Sequence, residues 1–182
     1  FANDVTPRDV LVGKVDAFLA DARSYEELID RARIIGQEQK FMVAAGLLSG
    51  TVSAQGAGEQ FTALAETLLN RLFTKVQDEF ALRHGRIAGA EVALLAFGKM
   101  ASREMTFTSD LDFILLYDAP DAESDGERQL STSHYFARLT QRLVAAAAIM
   151  RSPLPVPLIL MMRPPYNSHW RRNGRPTKTS RT

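Results

Sequence analysis

Hydrophobic positions along the chain follow two different spacings, and the change falls near residue 90. Before it, apolar residues recur every three to four positions, the period of helices with one buried face. Val10, Leu11, Val15, Phe18 and Leu19 predict a helix over 8–23. Ser24 followed by Glu27 has capping-box spacing and starts a second helix that runs to about Leu48, with a break near Gly36. "SGTVSAQGAG" (49–58) holds three glycines among small residues and predicts a loop. A long helix over about 57–84 follows, on the stripe Phe61, Leu64, Leu68, Leu69, Leu72, Phe73, Val76 and Phe80. The glycines of "RHGRIAG" (83–89) end it.

Beyond residue 90 the runs are short. "EVALLAFG" (91–98) is apolar and bounded by turn signals, which predicts a buried strand. "KMASREMTFTS" (99–109) is polar and irregular, with room for one helical turn. "DLDFILLYD" (110–118) alternates and predicts a second strand. Leu111, Phe113, Leu115 and Tyr117 face one way, and Asp110, Asp112, Ile114 and Leu116 the other. "APDAESDGE" (119–127) reads as an acidic, solvated loop. The last periodic segment, 128–150, is helical, with Tyr135, Leu139, Leu143 and Ala147 on one stripe. The fold class is α+β: a helical lead-in over 1–87, then a core over 88–150.

Composition adds exclusions. The chain is 46% hydrophobic and 24% charged, as globular proteins are. No run reaches the roughly 18 uncharged apolar residues of a spanning helix. The first residue is Phe1 rather than Met, and no basic-then-apolar leader follows, so the chain reads as a fragment of a longer protein without a signal peptide. Cysteine is absent, which excludes disulfides and thiolate metal sites and fits a reducing cytoplasm. His84, His134 and His169 are too scattered to read as a metal-ligand set.

Charge is uneven. Residues 151–182 hold seven Lys and Arg, no Asp or Glu, and six of the eight prolines. Removing those seven from the chain's 22 Lys and Arg leaves 15, against 21 Asp and Glu in residues 1–150, a net of −6 there.

Candidate chemistry centres on "FGKMASREMTFTSDLDFILLYD" (97–118). Asp110 and Asp112 would stand about 7 Å apart on one strand face. Two such carboxylates can share a Mg²⁺, which takes hard oxygen ligands and completes its shell with water and substrate phosphates. A plain strand edge with two solvated aspartates is the other reading. Gly98, at the end of the preceding strand, lets a backbone approach a triphosphate where a Cβ would obstruct it. Lys99 can act as a point charge on phosphate. Ser102, Thr106, Thr108 and Ser109 add hydroxyls to the same segment. The layout suits a metal-dependent nucleotidyltransferase and differs from a Walker loop, in which Gly-Lys-Ser/Thr runs directly into a helix.

This segment closely resembles the signature of the bacterial glutamine synthetase adenylyltransferases, roughly Gly-Lys-Leu-Gly-x-x-Glu-Leu/Met-x-x-x-Ser-Asp-Leu/Ile-Asp-Leu-Ile. "YEELIDRARIIGQEQKFMVAAGLLSG", "ALRHGRIAGAEVALLAFGKM" and "HYFARLTQRLVAA" extend the likeness over about residues 8–148. The resemblance implies a polymerase-β-like nucleotidyltransferase core, incomplete at its C-terminus. The activity it implies is transfer of AMP from ATP to a tyrosine of glutamine synthetase, with Mg²⁺ held by three carboxylates. By the same likeness Asp110 and Asp112 carry over as the catalytic, metal-binding acids, and Gly98 as the nucleotide-loop glycine. Lys99 and Ser109 occupy motif positions, with nucleotide binding inferred for both. The implied partners are glutamine synthetase, the PII signalling protein and ATP, without nucleic acid or membrane, in the cytoplasm. Such enzymes carry two homologous halves. "SREMT" and "YFARLTQRLVAA" look more like the C-terminal, adenylylating half than the adenylyl-removing one. Two rival classes are a different polymerase-β-like nucleotidyltransferase and a non-catalytic module that keeps the fold.

Two departures qualify the likeness. Met100 and Ala101 stand where the family has Leu and Gly, and Ala101 would be strained by roughly 1 kcal/mol if its φ were positive. After Met150 the family continues with an Asp-containing strand and an Arg-Leu-Arg-Pro run that supply the third carboxylate. Here 151–182 is Pro- and Arg-rich without an acid. Residues from about 149 onward are therefore expected to be an out-of-frame reading. A genuine basic tail for RNA or membrane is the alternative. The chain as written is expected to be inactive.

Overall fold

A computed structural model describes residues 6–148 and, for backbone only, residues 161–162. Three helices come first: α1 (Arg8–Ala20), α2 (Tyr25–Leu48) and α3 (Ala54–His84). Strand β1 (Glu91–Ala96), the short helix α4 (Gly98–Ser102), strand β2 (Phe113–Asp118) and helix α5 (Thr132–Ala147) follow. Met161–Met162 (β3) pairs parallel to β2, while β1 and β2 pair antiparallel from Glu91↔Asp118 to Ala96↔Phe113. The α+β class is thus observed. Apart from Met161–Met162, the basic segment 151–182 lies outside the described residues.

Helix α3 is the axis. Phe61, Leu64, Leu68, Leu69, Leu72, Val76 and Phe80 are all buried. Each fully buried Leu or Phe contributes roughly 1.5–3 kcal/mol. Leu11, Val15 and Leu19 of α1, Ile35 and Val43 of α2, and Tyr135, Phe136, Leu139 and Leu143 of α5 join them in one core. Leu111, Phe113, Leu115 and Tyr117 are buried as their alternation predicts, and Tyr117 stacks on Phe136 at 4.1 Å.

Several boundaries move for local reasons. Helix α1 stops at Ala20, not residue 23. Ser24 caps α2 by accepting from the Glu27 N–H at 3.1 Å; the Glu27 carboxylate accepts in return from the N–H of Arg23, one residue before the cap. Helix α2 does not break at Gly36. That glycine lets the two helices approach closely, for a Cβ on it would stand 3.1 Å from Leu68 Cδ1. Helix α3 starts at Ala54, inside the predicted loop, because Ser53 caps it by accepting from the Gly56 N–H at 3.1 Å. Helix α5 is shorter than 128–150 at its start, since Arg128–Leu130 hold the preceding loop in place.

One expectation fails outright, and a second holds only in part. Strand β1 is not buried: Glu91, Ala93 and Leu95 lie on an exposed face, with Leu95 at 47%, and only the Val92, Leu94 and Ala96 face turns inward. The apolar run supplied two apolar faces, but a strand at the sheet edge has packing for one. The acidic loop exposes Asp121, Glu123, Asp125 and Glu127 as expected, but it is anchored from within. Ser124 is fully buried, and Asp125 accepts from the Arg86 N–H at 2.6 Å while its own N–H donates to the Arg86 carbonyl.

Candidate nucleotide site

The β1–β2 ladder carries the site. Its last rung is the Phe97 N–H donating to the Asp112 carbonyl at 2.8 Å, one residue beyond the strands. The strand proper begins at Phe113, so Asp110 and Asp112 occupy its extended lead-in, not the strand itself. Both are half-buried, on the face predicted for them.

Gly98 opens helix α4 directly opposite. Its φ is +52°, in the region that side chains other than glycine rarely adopt, and a Cβ there would stand 2.7 Å from Asp112 Oδ2. The glycine thus meets two demands: a left-handed backbone and close approach to a carboxylate. Lys99, the next residue, is exposed. Ala101 has no positive φ; it lies within α4, so the strain considered for it does not arise. The left-handed position is Arg103 instead, at φ 59° and ψ 34°, where α4 ends and its N–H bonds back to Met100.

Ser109 serves the loop. Its Oγ accepts from the Thr106 N–H at 2.8 Å and lies 2.9 Å from Thr106 Oγ1, closing the turn that leads into Asp110. The Glu104 N–H donates to the Lys99 carbonyl, and the Glu104 carboxylate accepts from the Ser102 hydroxyl at 3.0 Å. Below this loop lies α3, where a Cβ on Gly58 would come 3.1 Å from the Arg103 carbonyl oxygen. Met100 and Met105 are buried, and Phe107 meets Phe61 edge-on. Sequence reasoning gave Gly58 no role and placed it where the predicted loop (49–58) meets the predicted helix (57–84); only the fold shows what presses on it.

The structure therefore brings Gly98 and Asp112 together, with Lys99 and Asp110 on the same connection. Ser109 is in the segment but is engaged with Thr106. Among the described residues no group of three His, Asp or Glu could hold a metal ion. Asp110 and Asp112 are both half-buried and bring hard oxygen donors of the kind Mg²⁺ takes, an ion that needs only one or two carboxylates from protein. Also among the described residues, no helix is long and apolar enough to cross a membrane.

Comparison with known proteins gives the lineage. The family model for glutamate-ammonia ligase adenylyltransferase matches residues 2–153. A bifunctional glutamine synthetase adenylyltransferase/adenylyl-removing enzyme of Bradyrhizobium sp. (strain BTAi1 / ATCC BAA-1182) is 51% identical over 135 residues, 73% of this chain and 14% of the relative. Its counterpart in Bradyrhizobium sp. (strain ORS 278) is 49% identical over 150 residues, 80% of this chain and 15% of the relative. The Brucella suis biovar 1 (strain 1330) enzyme is 47% identical over 146 residues, 79% and 15% respectively. The chain thus spans only 14–15% of the length of these curated relatives. With the Gly98–Asp112 segment inside a family match that spans residues 2–153, and relatives about half identical over most of the chain, the chain belongs to the glutamate-ammonia ligase adenylyltransferase family.

Proposed function

We propose that residues 88–150 are part of a nucleotidyltransferase core of the polymerase-β type, from the adenylylating half of such an enzyme, with 1–87 as its helical lead-in. The reaction is transfer of AMP from ATP to a tyrosine hydroxyl of glutamine synthetase. The observation that carries this reading is the 2.7 Å approach of a Gly98 Cβ position to Asp112 Oδ2. It sets a carboxylate directly against a side-chain-free, left-handed backbone that is followed at once by a lysine, a grouping that suits a triphosphate and its counter-ion.

Asp110 and Asp112 are the residues that would hold Mg²⁺. When bound with ATP, the ion neutralises phosphate charge during transfer. The chain's own residues position and bind. The Phe97–Asp112 backbone bond fixes the Asp112 backbone against the loop. Ser109 ties the turn that presents Asp110. Lys99 meets phosphate oxygens as a point charge. Glutamine synthetase is the target by the relatives' names, the PII signalling protein is the regulatory partner, and the compartment is the cytoplasm.

The chain as written lacks the third carboxylate that the family likeness calls for, so its transfer activity is expected to be negligible. Residues from about 149 onward read as out of frame; the family match ending at residue 153 supports this. The gene sequence across codons 140–182 tests it, because a shift of one or two bases should restore an Asp-containing strand and an Arg-Leu-Arg-Pro run.

A chimera tests the function. Residues 6–148 replace the matching segment of the Bradyrhizobium strain BTAi1 relative, and labelled AMP is followed in both directions. Attachment to glutamine synthetase that disappears with Asp112→Asn supports the adenylylating reading. Loss of AMP release from adenylylated glutamine synthetase, with attachment intact, assigns the segment to the adenylyl-removing half. A chimera indifferent to Asp112→Asn in both directions removes the site.

A further inference from the structure

The opposite end of α3 carries a second feature that the nucleotide chemistry does not use. Arg83, Arg128, Arg138 and Arg142 line a cleft of about 540 Å³ floored in part by Phe80 and His84. No Asp or Glu is among its lining residues. Elsewhere Arg8, Arg31, Arg33, Arg71 and Arg86 each pair with a carboxylate. Among the described residues no such pair involves any of the four cleft arginines. Glu79, one turn back on α3, is already paired with Lys75 at 3.1 Å.

The walls are held in place before any ligand arrives. The Arg128 N–H donates to the Arg83 carbonyl at 3.0 Å, and His84 Nδ1 lies 2.7 Å from the Arg128 carbonyl oxygen, so that nitrogen carries the proton and donates. The Gly126 N–H donates to the His84 carbonyl, which docks the loop onto the end of α3. Gly85 and Gly126 make this possible, since a Cβ on either would overlap the facing backbone. On the other wall the Arg142 guanidinium lies over the Phe80 ring at 5.4 Å. Four like charges gathered on fixed backbone repel one another unless an anion shares them. Planar guanidinium forks match the oxygens of phosphate and carboxylate two at a time.

We propose that this cleft is a second anion site, for a small multivalent oxyanion of the phosphate-ester or polycarboxylate class. It is separate from the candidate nucleotide site. Gly58, beneath the Arg103 loop, and Arg83 are 25 residues apart on one helix, about 38 Å by helical rise. A ligand here would bridge the end of α3, the 125–130 loop and α5.

Calorimetric titration of the 182-residue chain with sodium tripolyphosphate, at low ionic strength and without divalent cations, tests this. One saturable site is expected. Its affinity should fall at least tenfold in R138Q/R142Q and in R83Q/R138Q, the second pair leaving the Phe80 stack intact. It should be unchanged in the surface control K14Q/R33Q and in Lys99→Gln. Citrate in place of tripolyphosphate separates the two sources: tenfold tighter binding of citrate marks a carboxylate ligand, and tenfold weaker binding marks phosphate. Absence of saturable binding overturns the proposal. So does binding that survives within twofold in both arginine pairs, or that is lost with Lys99→Gln alone.

Discussion

Gly98 and Asp112 face each other across the end of the β1–β2 ladder so closely that a Cβ on the glycine would stand 2.7 Å from Asp112 Oδ2. The backbone hydrogen bond from Phe97 to Asp112 fixes that relationship from the side. A substitution at 98 therefore acts on the carboxylate and on the backbone at once.

Gly98→Ala should lower stability by about 1 kcal/mol through its positive φ, measured by urea denaturation. It should also displace the Asp112 side chain and abolish transfer in the chimera described above. Ala101→Gly behaves differently, because Ala101 has a helical backbone. It should relieve no strain and cost up to about 1 kcal/mol in helix propensity. A stabilising Ala101→Gly would show that the short helix is wrongly placed.

Gly58→Val should destabilise by about 1–3 kcal/mol, since its branched methyls meet the Arg103 carbonyl and the Glu104–Met105 backbone. The loop they press on carries Arg103 and leads to Asp110, so nucleotide affinity should weaken alongside stability. Denaturation midpoints and nucleotide titration on the same samples check both. A neutral substitution would mean that α3 and the loop are not in contact.

Arg71 of α3 donates to both oxygens of Asp16 on α1, each at 2.6 Å, and this holds the Asp16 carboxyl below the usual carboxylate range. A depressed folded pKa contributes stability above the unfolded value of about 3.9 and loses it as pH falls through the folded one. The pair is half-exposed, so the contribution is at most about 1 kcal/mol. Urea midpoints of the wild type and Asp16→Asn should differ at pH 6 and converge as the pH falls through the lowered Asp16 pKa. A gap that stays constant with pH would show that the substitution acts through packing.

Sequence patterning carried the helices well, because Leu64, Leu68, Leu72 and Val76 recur at a period that only a buried helical face explains. The Leu111–Tyr117 alternation was equally legible, and it placed both aspartates on the outer face. Illegible were features set by distant partners. Nothing local in "EVALLAFG" says that Leu95 faces outward at a sheet edge. Gly36 read as a break and Gly58 as the junction of a loop and a helix, yet both sit inside helices, where Leu68 and the Arg103 carbonyl come against them. The acidic loop read as solvent-exposed from composition, whereas its backbone is bonded to residues 83–86, about 40 positions earlier in the chain. The four cleft arginines come from three separate segments, and no single window of sequence collects them.

On the proposed function, a divalent cation and nucleotide meet at Gly98, Asp110 and Asp112. Mn²⁺ in place of Mg²⁺, added with ATP to the isotopically labelled 182-residue chain, tests it directly by paramagnetic broadening of amide resonances. Broadening should appear first at Gly98, Lys99 and Asp110–Asp112, and Asp112→Asn should remove it. Broadening that instead begins at the acidic residues of 121–127 and is untouched by Asp112→Asn would contradict the account.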